Sequence, residues 1–82
     1  MNDNFDYGKP AELYSGPDAA RKGVLRYLRF SNSAKAIQFA VEELPQELLA
    51  GATLVVNRET FRAEAIVGLY MAAAYPLLRA LG

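Results

Sequence analysis

The sequence predicts a small α+β domain, and three observations carry that prediction. Two short runs, Val24–Phe30 and Ala52–Asn57, are rich in β-branched, aromatic and aliphatic residues. Each is followed by a stretch with helical periodicity, and the breaks between elements fall at Pro45, Gly51 and Pro76. The expected order is β-α-β-α, preceded by a mobile N-terminal tail.

Residues 1–16 mix Asn, Asp, Gly8, Pro10 and Gly16 with scattered aromatics and show neither a 3.6 nor a 2.0 period, so they read as that tail. Within it, Ala11-Glu12-Leu13-Tyr14 is the one segment able to dock as a short strand. Gly16-Pro17-Asp18 is turn chemistry, with Asp18 placed to cap one helical turn over Ala19–Lys22 that Gly23 ends at positive φ. The single domain is expected over residues 17–82.

In the first strand, Val24–Phe30, alternation sets Val24, Arg26, Leu28 and Phe30 on one face and Leu25, Tyr27 and Arg29 on the other. Ser31-Asn32-Ser33 then offers N-cap side chains to a helix over Ala34–Leu44, with Ile37, Ala40, Val41 and Leu44 as its apolar stripe. Gln46–Ala50 reads as a further helical turn before Gly51, and Ala52–Asn57 as the second strand. Asn57-Arg58-Glu59-Thr60 reads as a polar connection into a last helix, from Phe61 or Arg62 to Ala74, that turns Ile66, Leu69 and Tyr70 toward the sheet. The expected core is Leu28, Ile37, Val41, Leu44, Leu54, Val56, Ile66 and Leu69.

With 82 residues, 52% of them hydrophobic and 22% charged, the chain has material for one thin core. It contains no Cys and no His, so thiolate or imidazole metal sites and disulfides are excluded, and no cofactor motif is present. Small domains without such staples often dimerise. The acidic start lacks the basic and apolar pattern of a secretory signal, which predicts a cytoplasmic protein. The fourteen uncharged residues 65–78 would form a helix of only about 21 Å broken by Pro76, too short to span a membrane.

The net charge is zero but segmented: −3 over residues 1–20, +5 over 21–35, −3 over 36–50 and +1 over 51–82. Adjacent Glu42 and Glu43 point about 100° apart on a helix, and Pro45 separates Glu43 from Glu47, so no shared-proton pair is expected. The glycines match no phosphate-loop spacing. Catalysis is therefore not expected.

Two stretches suggest contact surfaces. In Arg21–Phe30, Arg alternates with aromatic and aliphatic residues, a pattern that stacks bases and meets phosphates; Arg26, Tyr27, Arg29 and Lys35 are the partner-binding candidates. Lys22-Gly23 and Phe30 make the stretch resemble the third strand of RNA-recognition domains, but Val24 and Arg26 stand where aromatics belong, Leu25 where a small residue belongs, and the spacing is one residue too long. The last helix is apolar around most of its circumference, which points to self-association through Gly68, Met71, Ala72 and Tyr75. The expectation is a non-catalytic interaction or regulatory protein, homodimeric through that helix, with nucleic-acid binding through residues 21–30 as the alternative.

Ala11–Tyr14, Tyr27–Phe30, Ala36–Pro45, Gly51–Leu54, Leu69-Tyr70 and Tyr75-Pro76 together resemble a group of short, uncharacterised bacterial proteins. The resemblance implies a bacterial cytoplasmic setting and the β-α-β-α order. It implies no activity.

Overall fold

Leu13 and Leu54 have no exposed surface, and they lie side by side on the two central strands of a four-stranded antiparallel sheet. The structure is a computed structural model that describes residues 5–16, 18–24 and 26–79. Its strands are β1 (Ala11–Tyr14), β2 (Tyr27–Phe30), β3 (Thr53–Val56) and β4 (Glu59–Arg62), arranged β2-β1-β3-β4. Its α-helices are α1 (Ser33–Gln38), α2 (Gln46–Ala50) and α3 (Ala63–Met71). The chain order is β-β-α-α-β-β-α, so the mixed α+β class holds, while the expected order left β1 as a weak strand or tail and lacked β4.

β1 is the segment expected at most to dock as a short strand. Residues 11–14 form a central strand, paired on one side with β2 and on the other with β3. Ala11 and Leu13 turn into the core and Glu12 and Tyr14 away from it, a 2.0 alternation too short to register as a period. The expected mobile tail is corrected further by residues 5–8. Ser33 Oγ donates to the Asp6 carbonyl (3.0 Å), Ala34 N–H donates to the Tyr7 carbonyl (3.0 Å), and Tyr7 Oη donates to the Leu69 carbonyl (2.8 Å). Residues 1–4 lie outside the described residues.

The strand missing from the expected order is β4. Asn57 and Arg58 have φ of 57° and 70°, and they join β3 to β4 with Val56 opposite Glu59. A two-residue loop with both central residues at positive φ is the hairpin turn whose twist matches that of the flanking strands. The polar letters 57–60 are thus the tip and first half of a hairpin. β2 is shorter than its apolar run, because Val24 N–H donates to the Ala19 carbonyl (3.0 Å) and closes the preceding turn. Gly23 ends that turn at φ 74°, as its position implied, but the Asp18 side chain caps nothing and instead sits 3.9 Å from Arg21.

Helices α1 and α3 pack on the same face of the sheet. Asn32 caps α1, accepting from the Lys35 N–H (2.9 Å), and Ser33, Ala36, Ile37, Ala40 and Leu44 form the buried stripe. The second half of this helix, Phe39–Glu43, widens to π geometry, and Leu44 is extended as the residue before Pro45 must be. On α3, Ile66 and Tyr70 are buried one turn apart. Leu28, Val41 and Leu69 of the expected core are half-buried; the other five are buried. Leu28 is on edge strand β2, where neighbours cover it from one side only. No helix among the described residues is long and apolar enough to cross a membrane.

Aromatic rings tie the chain ends together. Phe61, Phe5, Tyr7, Tyr75 and Tyr70 follow one another at centroid separations of 5.3, 4.9, 5.8 and 5.1 Å, the first three pairs edge-to-face. Burial, with the nearby Glu42 carboxylate acting in the same direction, pushes the Tyr75 phenol up to about 12. Arg79 donates to the Tyr70 and Ala72 carbonyls, capping α3.

Two stability outcomes are expected. Ile37→Ala should cost about 2–5 kcal/mol and half-buried Leu69→Ala distinctly less, measured as shifts in urea midpoint. Arg58→Gly should raise stability by roughly 0.5–1 kcal/mol, because a Cβ is disfavoured at φ 70° and glycine is not; an unchanged or lowered midpoint would contradict this turn geometry.

Candidate functional site

Four-residue strands show each side chain's face directly. In one cross-strand row Tyr27, Tyr14, Thr53 and Arg62 are register partners, and in the next row Arg29, Glu12, Val55 and Thr60. Both rows alternate with the core-facing row of Leu28, Leu13, Leu54 and Phe61, so they point away from α1 and α3. Among the described residues no helix packs on this outer face.

Its most conspicuous feature is an aromatic pair. Tyr14 and Tyr27 are 42% and 43% exposed, with ring centroids 5.1 Å apart and planes tilted by 49°. Tyr27 Oη donates to Glu12 Oε2 at 3.1 Å, which fixes the ring across the β1–β2 pair. Partial desolvation, with the hydrogen bond and charge of Glu12 in support, raises the Tyr27 phenol above its usual range.

Guanidinium groups surround the pair. Arg29 and Arg62 stand on the face itself, and Arg26 and Arg58 at its margins; all four are exposed and have no ion pair among the described residues. Arg26 lines a hollow of about 410 Å³ with Tyr14, Tyr27, Thr53, Gly16 and Gly51. Gly16 belongs there for a physical reason: its φ is 93°, and a Cβ would lie 3.3 Å from the Gly51 carbonyl oxygen. A second hollow, about 240 Å³, brings Arg29 and Arg58 together with Glu12, Val55 and Asn57.

The acids lie elsewhere. Glu42, Glu43, Glu47 and Glu64 are on the helical segments, and Glu47 holds Lys22 at 3.2 Å. Glu12 is the one acidic residue in the two outer rows. Zero net charge thus conceals a sheet face on which guanidiniums outnumber carboxylates.

The sequence-derived candidates divide between these layers. Tyr27 and Arg29 share the outer face, and Arg26 joins them through the first hollow, although alternation had placed it opposite Tyr27; it precedes β2, outside the regular pleat. Lys35 does not join them. It is exposed on α1, which packs on the other side of the sheet.

The self-association set is divided too. Gly68 and Met71 are exposed on α3, Ala72 is half-buried, and Tyr75 is buried at 6% exposure with its hydroxyl 3.4 Å from the Ala34 carbonyl. Tyr75 is an internal residue because the N-terminal segment, expected to be mobile, packs over it. Tyr14, Glu12, Arg58 and Arg62 were not singled out from the sequence, since Glu12 and Tyr14 lie in a segment expected at most to dock as a short strand, Arg62 in the unrecognised strand β4 and Arg58 at the hairpin tip. The alternation of Ala11–Tyr14 and the two-residue spacing at Asn57-Arg58 are the signals that would have found them.

Among the described residues no cluster of three acidic side chains could hold a metal ion. Comparison with models of known families, with curated proteins and with solved structures finds no match for this chain.

Proposed function

We propose that this protein is a non-catalytic interaction module whose uncovered sheet face binds an anionic macromolecular partner. The observation that carries the reading is the coincidence of two exposed tyrosines with four guanidiniums, Arg29 and Arg62 on the outer sheet face and Arg26 and Arg58 at its margins, none of them in an ion pair among the described residues. Exposed rings and unpaired cations together supply contact area and charge to a partner. Arg58 adds to this, because it occupies a left-handed turn position where glycine would be less strained. Photo-crosslinking in the native cells tests the proposal. A benzophenone side chain at Thr60 or Thr53, on the outer face, should give a discrete macromolecular adduct, and one at Lys35 on the helical layer should not. Adducts from Lys35 alone, or from none of these positions, would overturn it.

Self-association through α3 is a second reading, favoured by a specific feature of that helix. Gly68 leaves open space where a side chain would stand, and exposed Val67 and Met71 flank it. Beside them Leu49, Ala50, Ala63 and Val67 line an apolar hollow of about 350 Å³ between α2 and α3. Sedimentation at micromolar concentration should give about 18 kDa, twice the 9.0 kDa chain, and Met71→Glu should restore the monomer. A monomeric wild-type chain would remove this reading and leave the sheet-face proposal intact.

A further inference from the structure

We infer that the partner of the outer sheet face is single-stranded nucleic acid, with Tyr14 and Tyr27 as a base-stacking platform and Arg26, Arg29, Arg58 and Arg62 as phosphate contacts. The inference rests on the reading of that face as the binding surface, and three features select this ligand within it.

The first is the flatness of the exposed apolar surface. Tyr14 and Tyr27 are register partners on adjacent strands, held 5.1 Å apart, and Glu12 fixes the outer ring through its hydroxyl. Nucleobases are flat and every one has a π-face, so such a pair accepts them without regard to sequence. An acidic peptide would meet the guanidiniums but has few planar groups to lay on the rings.

The second is that the cations flank the rings. Arg26 shares the hollow with both tyrosines, and Arg29 follows Tyr27 two residues along β2. Arg62 closes the same row three strands away, about 14 Å from Tyr27 at ordinary strand spacing. Arg58 stands at the tip of the β3–β4 hairpin. A strand crossing from β2 to β4 would therefore find cations on both sides of its bases. Glu12, in the middle of the second row, repels phosphate from the sheet centre and leaves that space to bases.

The third is the absence on this face, among the described residues, of any helix to enter a groove. Duplex bases are stacked on one another and present only their edges, whereas unstacked bases lie flat on a sheet. Thr53 and Thr60 place hydroxyls on the same face for base edges.

Fluorescence anisotropy with labelled single-stranded DNA and RNA of roughly 12 nucleotides tests the inference, with duplex DNA as competitor. Binding should weaken roughly 20- to 50-fold between about 50 and 200 mM salt, as three or four phosphate contacts imply. Tyr14→Ala and Tyr27→Ala should each lower affinity at least about fivefold. Tyr14→Phe and Tyr27→Phe keep the rings and should retain binding, and Lys35→Ala should leave it unchanged. Circular dichroism of each variant confirms that these exposed substitutions preserve the fold.

No oligonucleotide binding at low salt would overturn the inference. So would binding that is lost with Arg29→Ala and Arg62→Ala but indifferent to loss of both rings, since that describes a general polyanion surface. The nature of the crosslinked adduct separates this inference from the reading beneath it. A nuclease-sensitive adduct from Thr60 supports both, and a nuclease-resistant, protease-sensitive one keeps the sheet-face reading while overturning nucleic acid. Absence of both adduct and binding overturns both.

Discussion

Leu13 and Leu54, neighbours on β1 and β3, are buried in one cluster with Ile37 of α1 and Ile66 of α3, and the other elements are arranged around that contact. Each of these side chains gains about 1.5–3 kcal/mol by leaving water, so their joint burial is a large share of what so small a domain has. The contact fixes which face of each strand is inner. Because the side-chain period of a strand is two, a slip of one residue in β1 would exchange Leu13 for Glu12 or Tyr14 and lose the core. The register that buries Leu13 is thus the same register that sets Tyr14 beside Tyr27 on the outer face.

Helical material is limiting. Helix α1 with its π extension and the nine-residue α3 cover the inner face, and α2 packs beside α3 rather than on the sheet's other side. The edge of the layer is closed by the N-terminal segment, whose Phe5 and Tyr7 fill the space between Phe61 and Tyr75. Small residues Ala34, Ala36 and Ala40 are wholly or almost wholly buried on α1, which lets the helix lie close to the sheet. With Ile37, Ile66 and Tyr70 engaged inside, the outer face is left to mostly polar and amphipathic side chains: Glu12, Arg29, Thr53, Thr60 and Arg62 with the two tyrosines, and Val55 among them. Arg and Tyr tolerate that position because long or flat stems cover backbone while their polar ends stay in water.

This separation of layers gives a neutral protein a polar character. The guanidiniums on the sheet side have no acid partner within the described residues, while Lys22 and Arg79, on the helical side, are engaged by Glu47 and by the last carbonyls of α3. A field of this kind steers association without requiring net charge. The hydrogen bond from Tyr27 to Glu12 makes the outer ring a fixed part of the surface. A pre-positioned ring loses less rotamer freedom on contact than a free one.

The sequence by itself determined the α+β class, a cap within Ser31–Ser33 and its helix, strand β3, the αL residue at Gly23 and the core positions Ile37, Leu44, Leu54, Val56 and Ile66. These are features of local chemistry or of periods long enough to recognise. Tertiary structure decided the rest. A four-residue strand such as Ala11–Tyr14 has too few letters to establish a period, and only pairing on both sides made it the centre of the sheet. Glu59–Arg62 is polar in three of its four residues, so nothing apolar marked it; β3 recruited it through the Asn57-Arg58 turn. The basic letters Arg26, Tyr27 and Arg29 were legible, but their partners Tyr14, Arg58 and Arg62 lie up to 36 residues away along the chain. A face is assembled from cross-strand neighbours, and which residues are neighbours depends on strand order and register, which local sequence does not encode.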